Sequence, residues 1–366
     1  MLSGHSRAPK NITVKWDGAP AIFAGIDPAD GKFFIAKKGI FNKTPLLYKS
    51  VLEIKRDNKL PKELKYLFEI AFKQFSKLNI KDGVYQGDLM FTKNSIKKEK
   101  IEGEDYYTFH PNTIVYAVPV NSSGGRMIAR AQIGVVWHTT YTGKSLQSMS
   151  ASFGKSIINK FSSSASVWMQ DATYKDVSGT ATFTSDENAT VTSILLAAGT
   201  EFRKIKGNAL KFIQNDEELK TKIKTYNNTH VRAGVPFPSP KDHVKGLYDY
   251  VDTWYQKEID KKKTPAGKQV WEEKRKNITQ NVFIYSEDLT NMFTLMNHII
   301  NAKQIIINKL NKASSINTFL RTRTGFKTTS QEGFVAIDKV AGAIKLVDRL
   351  EFSRANFSPD ILKGWQ

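Results

Sequence analysis

The chain has no cysteine among its 366 residues. This absence excludes disulfides, thiolate nucleophiles and cysteine-based zinc sites, and it is typical of proteins from a reducing compartment. No apolar run approaches the ~18 residues of a transmembrane helix, and the first residues lack the apolar core of a signal peptide. We therefore expect a cytoplasmic protein with no membrane partner.

Several common enzyme motifs are also missing. The Gly-Lys-Ser triplets at Gly143 and Gly154 lack the earlier glycine of a P-loop, because His138 and Met149 occupy those positions. No Gly-x-Ser-x-Gly sequence is present, and the six histidines are scattered, with none at the spacing of a helical zinc site. These absences exclude P-loop NTPases, α/β-hydrolases and zincins.

Acidic residues are fewer than basic residues. There are 35 Asp and Glu against 55 Lys and Arg, which gives a net charge of +20. A positive field of this size attracts polyanions, and neutralising phosphates supplies most non-specific nucleic-acid affinity. Ordinary solvation of a lysine-rich surface is the alternative interpretation. The charge favours a nucleic acid or nucleotide as partner without indicating the chemistry.

The chain divides into β-rich and helical stretches. Short β-branched or aromatic segments between turn residues predict strands at Ile12–Lys15, 32–37, 83–91, 113–120, 133–140, 181–184, 333–337 and 343–347. Helical periodicity predicts helices at 62–78, 209–226, 241–261, 265–278 and 286–312. We predict an α+β protein with a first domain part at 1–204, an all-helical insertion at 205–318 and a last domain part at 319–366.

One lysine stands in a context suited to nucleophilic chemistry. Val14-Lys15-Trp16-Asp17-Gly18 ends a predicted strand and continues into a glycine turn. A lysine acts as a nucleophile only when deprotonated, which partial burial or nearby cations promote. Glycine lets the backbone approach a nucleotide closely. Taken alone, this short pattern is also typical of a simple turn.

Three later segments add to this motif. They are Tyr85-Gln-Gly-Asp88, Glu332-Gly333 and Lys345 within an apolar strand. Each alone is compatible with a turn acid, a hairpin acid or an edge-strand lysine. In this order they resemble the covalent nucleotidyltransferase superfamily of polynucleotide ligases and capping enzymes. The resemblance covers residues 1–204 and 319–366. The sequence also resembles a group of phage ligase-like proteins that share Lys-Trp-Asp-Gly-Ala-Pro-Ala.

The resemblance implies roles for the motif residues. Lys15 would attack the α-phosphate of ATP and carry AMP, with Asp17 in the same catalytic motif. Lys345 would neutralise the α-phosphate, in catalysis and in nucleotide binding. Asp88 and Glu332 would contact the nucleotide and hold Mg²⁺ or Mn²⁺.

Further positions follow from the same resemblance. Lys37 and Lys38 match a basic nucleotide-binding motif. Tyr116, with Phe109 behind it, matches the aromatic residue that stacks on the base, although core packing is an equal alternative. The implied fold is a ligase adenylation domain, similar to ATP-grasp, with antiparallel sheets around the helical insertion.

The sequence also departs from the family pattern. Pro20 and Val347 stand where DNA ligases often have arginine and lysine. Only about twenty residues follow Lys345, so we expect no C-terminal OB-fold. These departures slightly favour RNA or hybrid substrates and leave DNA possible.

The sequence thus predicts a monomeric ATP-dependent polynucleotide ligase that joins 5′-phosphate to 3′-hydroxyl ends. The alternatives are a nucleic-acid-binding module with an inactive core and an adenylyltransferase acting on a protein or small molecule. The lysine-rich insertion is a possible nucleic-acid clamp, because aromatic residues are interleaved with its lysines. Packing of these aromatics in a bundle core is the alternative. They are Tyr248, Tyr250, Trp254, Tyr255 and Trp271.

Overall fold

The computed structural model describes residues 12–153, 156–173, 183–312, 317–338 and 342–364 of an α+β protein. The strands are β1 (Ile12–Lys15), β2 (Ala21–Ile26), β3 (Phe33–Ala36), β4 (Val84–Thr92), β5 (Lys97–Ile101), β6 (Glu104–Phe109), β7 (Ile114–Pro119), β8 (Ile133–Thr142), β9 (Ser150–Phe153), β10 (Val167–Asp171), β11 (Asn317–Thr322), β12 (Gly325–Thr328), β13 (Gly333–Asp338) and β14 (Gly342–Leu346). The helices are α1 (Val51–Arg56), α2 (Lys62–Phe75), α3 (Ser123–Arg130), α4 (Ser185–Lys204), α5 (Gly207–Asn215), α6 (Glu217–Ala233), α7 (Pro240–Asp260), α8 (Pro265–Ile284), α9 (Ser286–Asn311) and α10 (Arg349–Phe357).

The strands form three sheets. Sheet 1 has the order β1-β13-β14, sheet 2 the order β10-β8-β4-β2-β3 with β9 on β8, and sheet 3 the order β12-β11-β7-β6-β5. All strand pairs are antiparallel except β8 with β10, which is parallel. Sheets 1 and 3 each combine strands from before and after the helical stretch, so the two β-rich parts of the chain form one β structure.

Sheet 2 is covered on both faces. The amphipathic helix α2 buries Phe68 and Phe75 against one face, where Trp137 of β8 packs on Phe75. On the other face, side chains of sheet 2 meet those of sheet 3, with Phe91 against Phe109 at a ring separation of 4.9 Å. The region between these two sheets positions the residues that follow Lys15.

Sheet 1 has one apolar face and one polar face. Its apolar side chains pack on α9, with Ile12 and Phe334 buried against Ile307 and Leu310. Side chains alternate between the two faces of a strand. The residues next to this apolar set, including Lys15, therefore point away from α9.

The helical stretch begins earlier than the sequence predicts. The 20-residue helix α4 precedes the predicted boundary at 204 and packs along α9. The two helices are antiparallel, because Lys309 pairs with Glu187 at 2.7 Å and Asp288 accepts a hydrogen bond from the Lys206 backbone. Of the strand predicted at 181–184, residues 181 and 182 lie outside the described residues, and the other two precede α4 without forming a strand.

Most aromatics of the predicted clamp belong to the bundle core. Tyr255 is buried, and Tyr250, Trp254 and Trp271 pack against the same apolar cluster. Tyr248 is 38% exposed. The packing favours the bundle-core alternative for four of the five rings, because helical spacing directs them toward neighbouring helices, and the clamp stays a prediction.

Among the described residues, no helix combines the length and apolar character needed to cross a bilayer.

Candidate active site

Two strands distant in sequence bring Lys15 to Glu332. Lys15 lies opposite Gly333 in the β1–β13 register, and Glu332 directly precedes that glycine. The Lys15 Nζ donates to Oε1 of Glu332 in an ion pair, with Lys15 about a third exposed and Glu332 nearly buried. Burial raises the pKa of Glu332, and the ammonium groups of Lys15 and Lys345 oppose this shift.

Lys345 lies on the same face of sheet 1 as Lys15. It pairs with Val335, two residues along β13 from the partner of Lys15. Directly opposed residues share a face, and so do residues two apart in a strand. Strand spacing and rise put the two lysine Cα atoms about 12 Å apart. Lys345 is exposed, so its charge is available to a ligand beside Lys15.

Gly333 has a backbone that only glycine adopts readily. Its φ is +150°, and a Cβ at this position would lie 2.5 Å from the carbonyl oxygen of Leu346. Glycine after Glu332 therefore lets the first residue of β13 lie against both β1 and β14. This fixes Glu332 at the end of the middle strand.

A second glycine brings the Lys15 segment to sheet 2. A Cβ on Gly18 would lie 2.6 Å from Cβ of Asp88 and 2.8 Å from Sδ of Met90. The backbone of Leu89 exchanges hydrogen bonds with Ala19 and Pro20, at 3.0 and 3.1 Å. The turn after Lys15 is thus fastened to β4 beside Asp88.

Asp88 lies close enough to Lys15 and Glu332 for their charges to act on it, and His138 lies beside Asp88; we call the region bounded by these four residues the cleft. The register of β4 and β8 shifts between Gln86 and Gly87, which leaves His138 as an extra residue in a bulge. Its Nε2 lies 3.8 Å from Oδ2 of Asp88. Burial raises the pKa of Asp88 to about 7, opposed by Lys15 and reinforced by Glu332 and Asp17. Burial and the Lys15 charge lower the pKa of His138 to about 4, so its imidazole is neutral at pH 7.

Asp17 is a buried anchor for the loop before β7. Its carboxylate accepts hydrogen bonds at 2.7–2.8 Å from the side chain of Asn112 and from the backbones of Thr113 and Ile114. The exposed fraction of Asp17 is 5%. Both oxygens are used within the protein, so these contacts support a positioning role and not the catalytic role predicted from its motif.

Tyr116 is also part of the core. Its ring lies between Trp16, at 5.1 Å, and Phe109, at 5.5 Å, and its hydroxyl accepts a hydrogen bond from the Asp17 backbone. No part of Tyr116 is exposed. The predicted stacking of Tyr116 on a nucleobase is therefore wrong, because both faces of the ring are already covered.

A family model spans almost the whole chain, matching residues 1–360. The protein belongs to DUF6267, a family of unknown function. No curated protein and no solved structure matches the chain.

In this DUF6267 member, the two predicted basic residues follow the edge strand of sheet 2, two strands from Asp88. Lys37 and Lys38 are exposed and follow β3, the edge strand of sheet 2. β2 separates β3 from β4, which carries Asp88. Within the described ranges, neither lysine forms an ion pair with Asp88 or Glu332.

The cleft offers few ligands for a metal. The described residues contain no group of three or more His, Cys, Asp or Glu side chains that could hold an ion. Mg²⁺ commonly uses one or two carboxylates and takes its other ligands from phosphates and water. Asp88 and Glu332, which flank Lys15, fit that limited role.

His138 is the site residue that the sequence did not indicate. A single histidine in an apolar strand is usual in protein cores, and its position beside Asp88 depends on the bulge in β8. The distance of 50 residues between the two gives no local signal. Only the pairing of β4 with β8 brings them together.

Proposed function

We propose that this protein is an ATP-dependent polynucleotide ligase that carries AMP on Lys15. The observation that supports this most is the ion pair of Lys15 with Glu332, with Lys345 on the same face of sheet 1 as Lys15 and with Asp88 close enough to interact electrostatically with Lys15 and Glu332. Phosphoryl transfer needs a positioned nucleophile and neutralisation of the phosphate charge, and a lysine nucleophile, a second lysine and two carboxylates that can bind a metal would supply both.

The first step is attack by Nζ of Lys15 on the α-phosphorus of ATP. A nitrogen–phosphorus bond forms, the bond from the α-phosphorus to the bridging oxygen breaks, and pyrophosphate leaves. Glu332 is the base in contact with the Lys15 ammonium, and it takes the proton that the nitrogen loses. Lys345 offsets charge on the α-phosphate.

Asp88 would hold a divalent cation in this cleft, together with Oε2 of Glu332, the oxygen that does not contact Lys15. When bound, such a cation supplies charge neutralisation on the phosphate oxygens. Asp88 must be ionised for this role. Because its pKa is about 7, the ionised fraction of Asp88 changes with pH near neutrality.

The acceptor in this proposal is a nucleic acid with a 5′-phosphate. AMP passes from Lys15 to that phosphate, and a 3′-hydroxyl then displaces AMP to form the phosphodiester. The net charge of +20 supports a polyanionic acceptor over a small molecule. DNA, RNA and hybrid ends all remain substrates to compare.

Labelling with ATP tests the proposal. We expect label from the α-phosphate to remain on the denatured wild-type protein and to be absent from Lys15→Arg, which keeps the charge but lacks a nucleophilic amine. Lys49→Arg is the matched control, because Lys49 pairs with Asp27 and Asp30 outside the cleft. This control should label like the wild type.

The later steps separate the remaining functions. Transfer of label to nicked DNA, RNA or hybrid duplexes supports a ligase. Label that moves only to proteins or small molecules indicates an adenylyltransferase. An unlabelled protein that still binds nucleic acid indicates a binding module and contradicts the proposal.

A further inference from the structure

A cavity of about 260 Å³ lies between helix α3 and the segment 164–168, which leads into β10. The side chains that α3 contributes to it are Ser123, Arg126, Met127 and Arg130. Residues three, four and seven positions apart share one face of a helix, so these four side chains form a single stripe. None of the four residues that bound the cleft lines this cavity, which is therefore a separate feature of the surface.

Both walls of the cavity are held in place by contacts outside it. On α3, Ile128 is buried in the core, and a Cβ at Gly125 would overlap the carbonyl oxygen of Pro119. The helix therefore lies close against the end of β7. On the facing segment, the hydroxyl of Ser166 donates to Oε1 of Gln74 at 2.8 Å. The shape of the cavity is thus set by how the two segments pack on the rest of the protein.

The two arginines are not neutralised within the described part of the chain. Neither Arg126 nor Arg130 forms an ion pair with a described residue, and no described Asp or Glu side chain lines the cavity. Nη1 of Arg126 donates to the carbonyl oxygen of Asn121 at 2.9 Å, which orients the guanidinium group. Lys93 adds a third positive charge, because its Nζ donates to the carbonyl oxygen of Ala129 in the same helix. An anion in the cavity would therefore meet uncompensated positive charge.

The rest of the lining combines a hydroxyl with apolar surface. Met127 is 53% exposed, and Ala165 and Val167 lie on the facing segment. The Ser123 hydroxyl forms no hydrogen bond with another described residue, so it can donate to an anion. A ligand with an anionic end and an apolar substituent would match these walls.

We propose that this cavity binds a phosphate monoester, with the phosphate on Arg126 and Arg130 and the substituent against Met127. A phosphate monoester carries a charge of about −1.5 to −2 at pH 7 and has three terminal oxygens. Guanidinium groups bind such oxygens in pairs, and two arginines match a double negative charge. A carboxylate or a backbone phosphodiester carries one negative charge and would neutralise only one of them. This inference goes beyond the proposed function and does not depend on labelling of Lys15.

Calorimetry with the full chain and phenyl phosphate tests the inference without relying on activity. We expect Arg126→Gln and Arg130→Gln each to weaken binding by roughly 10- to 100-fold, because each removes charge-assisted hydrogen bonds. Arg126→Lys should restore only part of the affinity, since lysine keeps the charge and lacks the planar fork. Arg203→Gln is the matched control, because Arg203 is an exposed arginine of α4 whose side chain contacts Thr200, and it should bind like the wild type.

A second comparison tests the apolar wall. Met127→Ala should weaken binding of phenyl phosphate and leave binding of inorganic phosphate unchanged, because only the ester places a substituent against Met127. Equal weakening of both ligands would contradict the proposed orientation.

Oligonucleotides with and without a 5′-phosphate distinguish the sources of the phosphate. A gain in affinity from the 5′-phosphate that Arg126→Gln abolishes indicates the end of a strand, whereas Arg126-dependent binding of phenyl phosphate without such a gain indicates a small ester. Both results support the site. Unchanged affinity for phenyl phosphate in folded Arg126→Gln and Arg130→Gln overturns it. Arg126-dependent binding of oligonucleotides that lack a 5′-phosphate, with no binding of phenyl phosphate, indicates a backbone contact and also overturns the proposal.

Discussion

Asp88 is costly to ionise in the folded protein, and this has a measurable effect on stability. Its pKa is about 7 when folded and near its ordinary value of 3.8 when unfolded. Between these values the unfolded chain has lost the proton and the folded chain keeps it. Native stability attributable to Asp88 therefore falls as the pH rises from about 4 to 7.

Asp88→Asn removes this penalty. We expect the variant to gain about 2–4 kcal/mol of unfolding free energy relative to wild type at pH 8, and little at pH 4. Urea unfolding at both pH values measures the difference. Asp105→Asn, which alters an exposed carboxylate paired with Lys98, serves as control and should show no such pH dependence. A gain of equal size at pH 4 and pH 8 would contradict the assigned pKa.

Asp17 is predicted to matter for folding more than for chemistry. Asp17→Ala leaves the N–H groups of Thr113 and Ile114 buried without an acceptor, so we expect a loss of about 2–4 kcal/mol. Chemical unfolding measures this loss, and Asp105→Ala should cost below about 1 kcal/mol. A variant with unaltered stability but no labelling of Lys15 would restore the catalytic role predicted from the sequence.

Individual site residues were predictable to different degrees. The strand positions of Lys15 and Lys345 were predicted from the sequence, whereas their roles and that of Glu332 come from the family resemblance and stay predictions. The burial of Tyr116 depends on Trp16 and Phe109, which reach it from other segments. Residues placed by such distant packing have no local signature.

At the scale of elements, the turn after Lys15 depends on Gly18. Gly18→Ala would push a Cβ into Asp88 and Met90, so we expect the turn to move away from β4. Labelling of Lys15 should fall at least tenfold, in line with the effect of a displacement of about 1 Å on catalysis. Gly207→Ala is the control, because no atom lies near its added Cβ. Normal labelling of Gly18→Ala would mean that the cleft tolerates a looser turn.

Elements with a clear apolar pattern were predicted well, and helices with a narrow contact were not. The predicted strand at Ile12–Lys15 matches β1, and those at 333–337 and 343–347 fall within one residue of β13 and β14. Helix α4 was missed, since only Val191 and Ala198 are buried. They are seven residues apart, because α4 packs against a single partner helix. Two buried apolar residues are too few to give a helical periodicity that can be recognised in the sequence.

At the scale of the whole molecule, the antiparallel pair α4–α9 allows the rest of the bundle to be deleted, although α10 then loses its contact with α6. The end of α4 lies close to the start of α9, where the Lys206 backbone bonds to Asp288. A short Gly/Ser linker can therefore replace residues 205–285, with Leu289 and Phe293 changed to polar residues because the deletion exposes them. The resulting chain keeps sheets 1–3 and α9.

We expect this deletion to retain labelling of Lys15 and to weaken nucleic-acid binding. Residues 205–285 contain 16 Lys and Arg against 10 Asp and Glu, a surplus of +6. Titrations at several salt concentrations should give a shallower dependence of log K on log salt, because fewer phosphates are neutralised. The control for net charge is the same deletion variant with six lysines added at other surface positions, which restores the net charge of the wild type. An unchanged slope in the deletion would limit the bundle to a structural role.

The pairing of β1 with β13 has a consequence for protein synthesis. Glu332 and Gly333 leave the ribosome more than 300 residues after Lys15. Closing so long a loop is entropically unfavourable, so this contact forms late. A nascent chain that stops before β13 would display its lysine without the carboxylate that receives the proton. Under the proposed function, competence for adenylylation would then be acquired only after β13 has been synthesised, which would keep shorter nascent chains from consuming ATP.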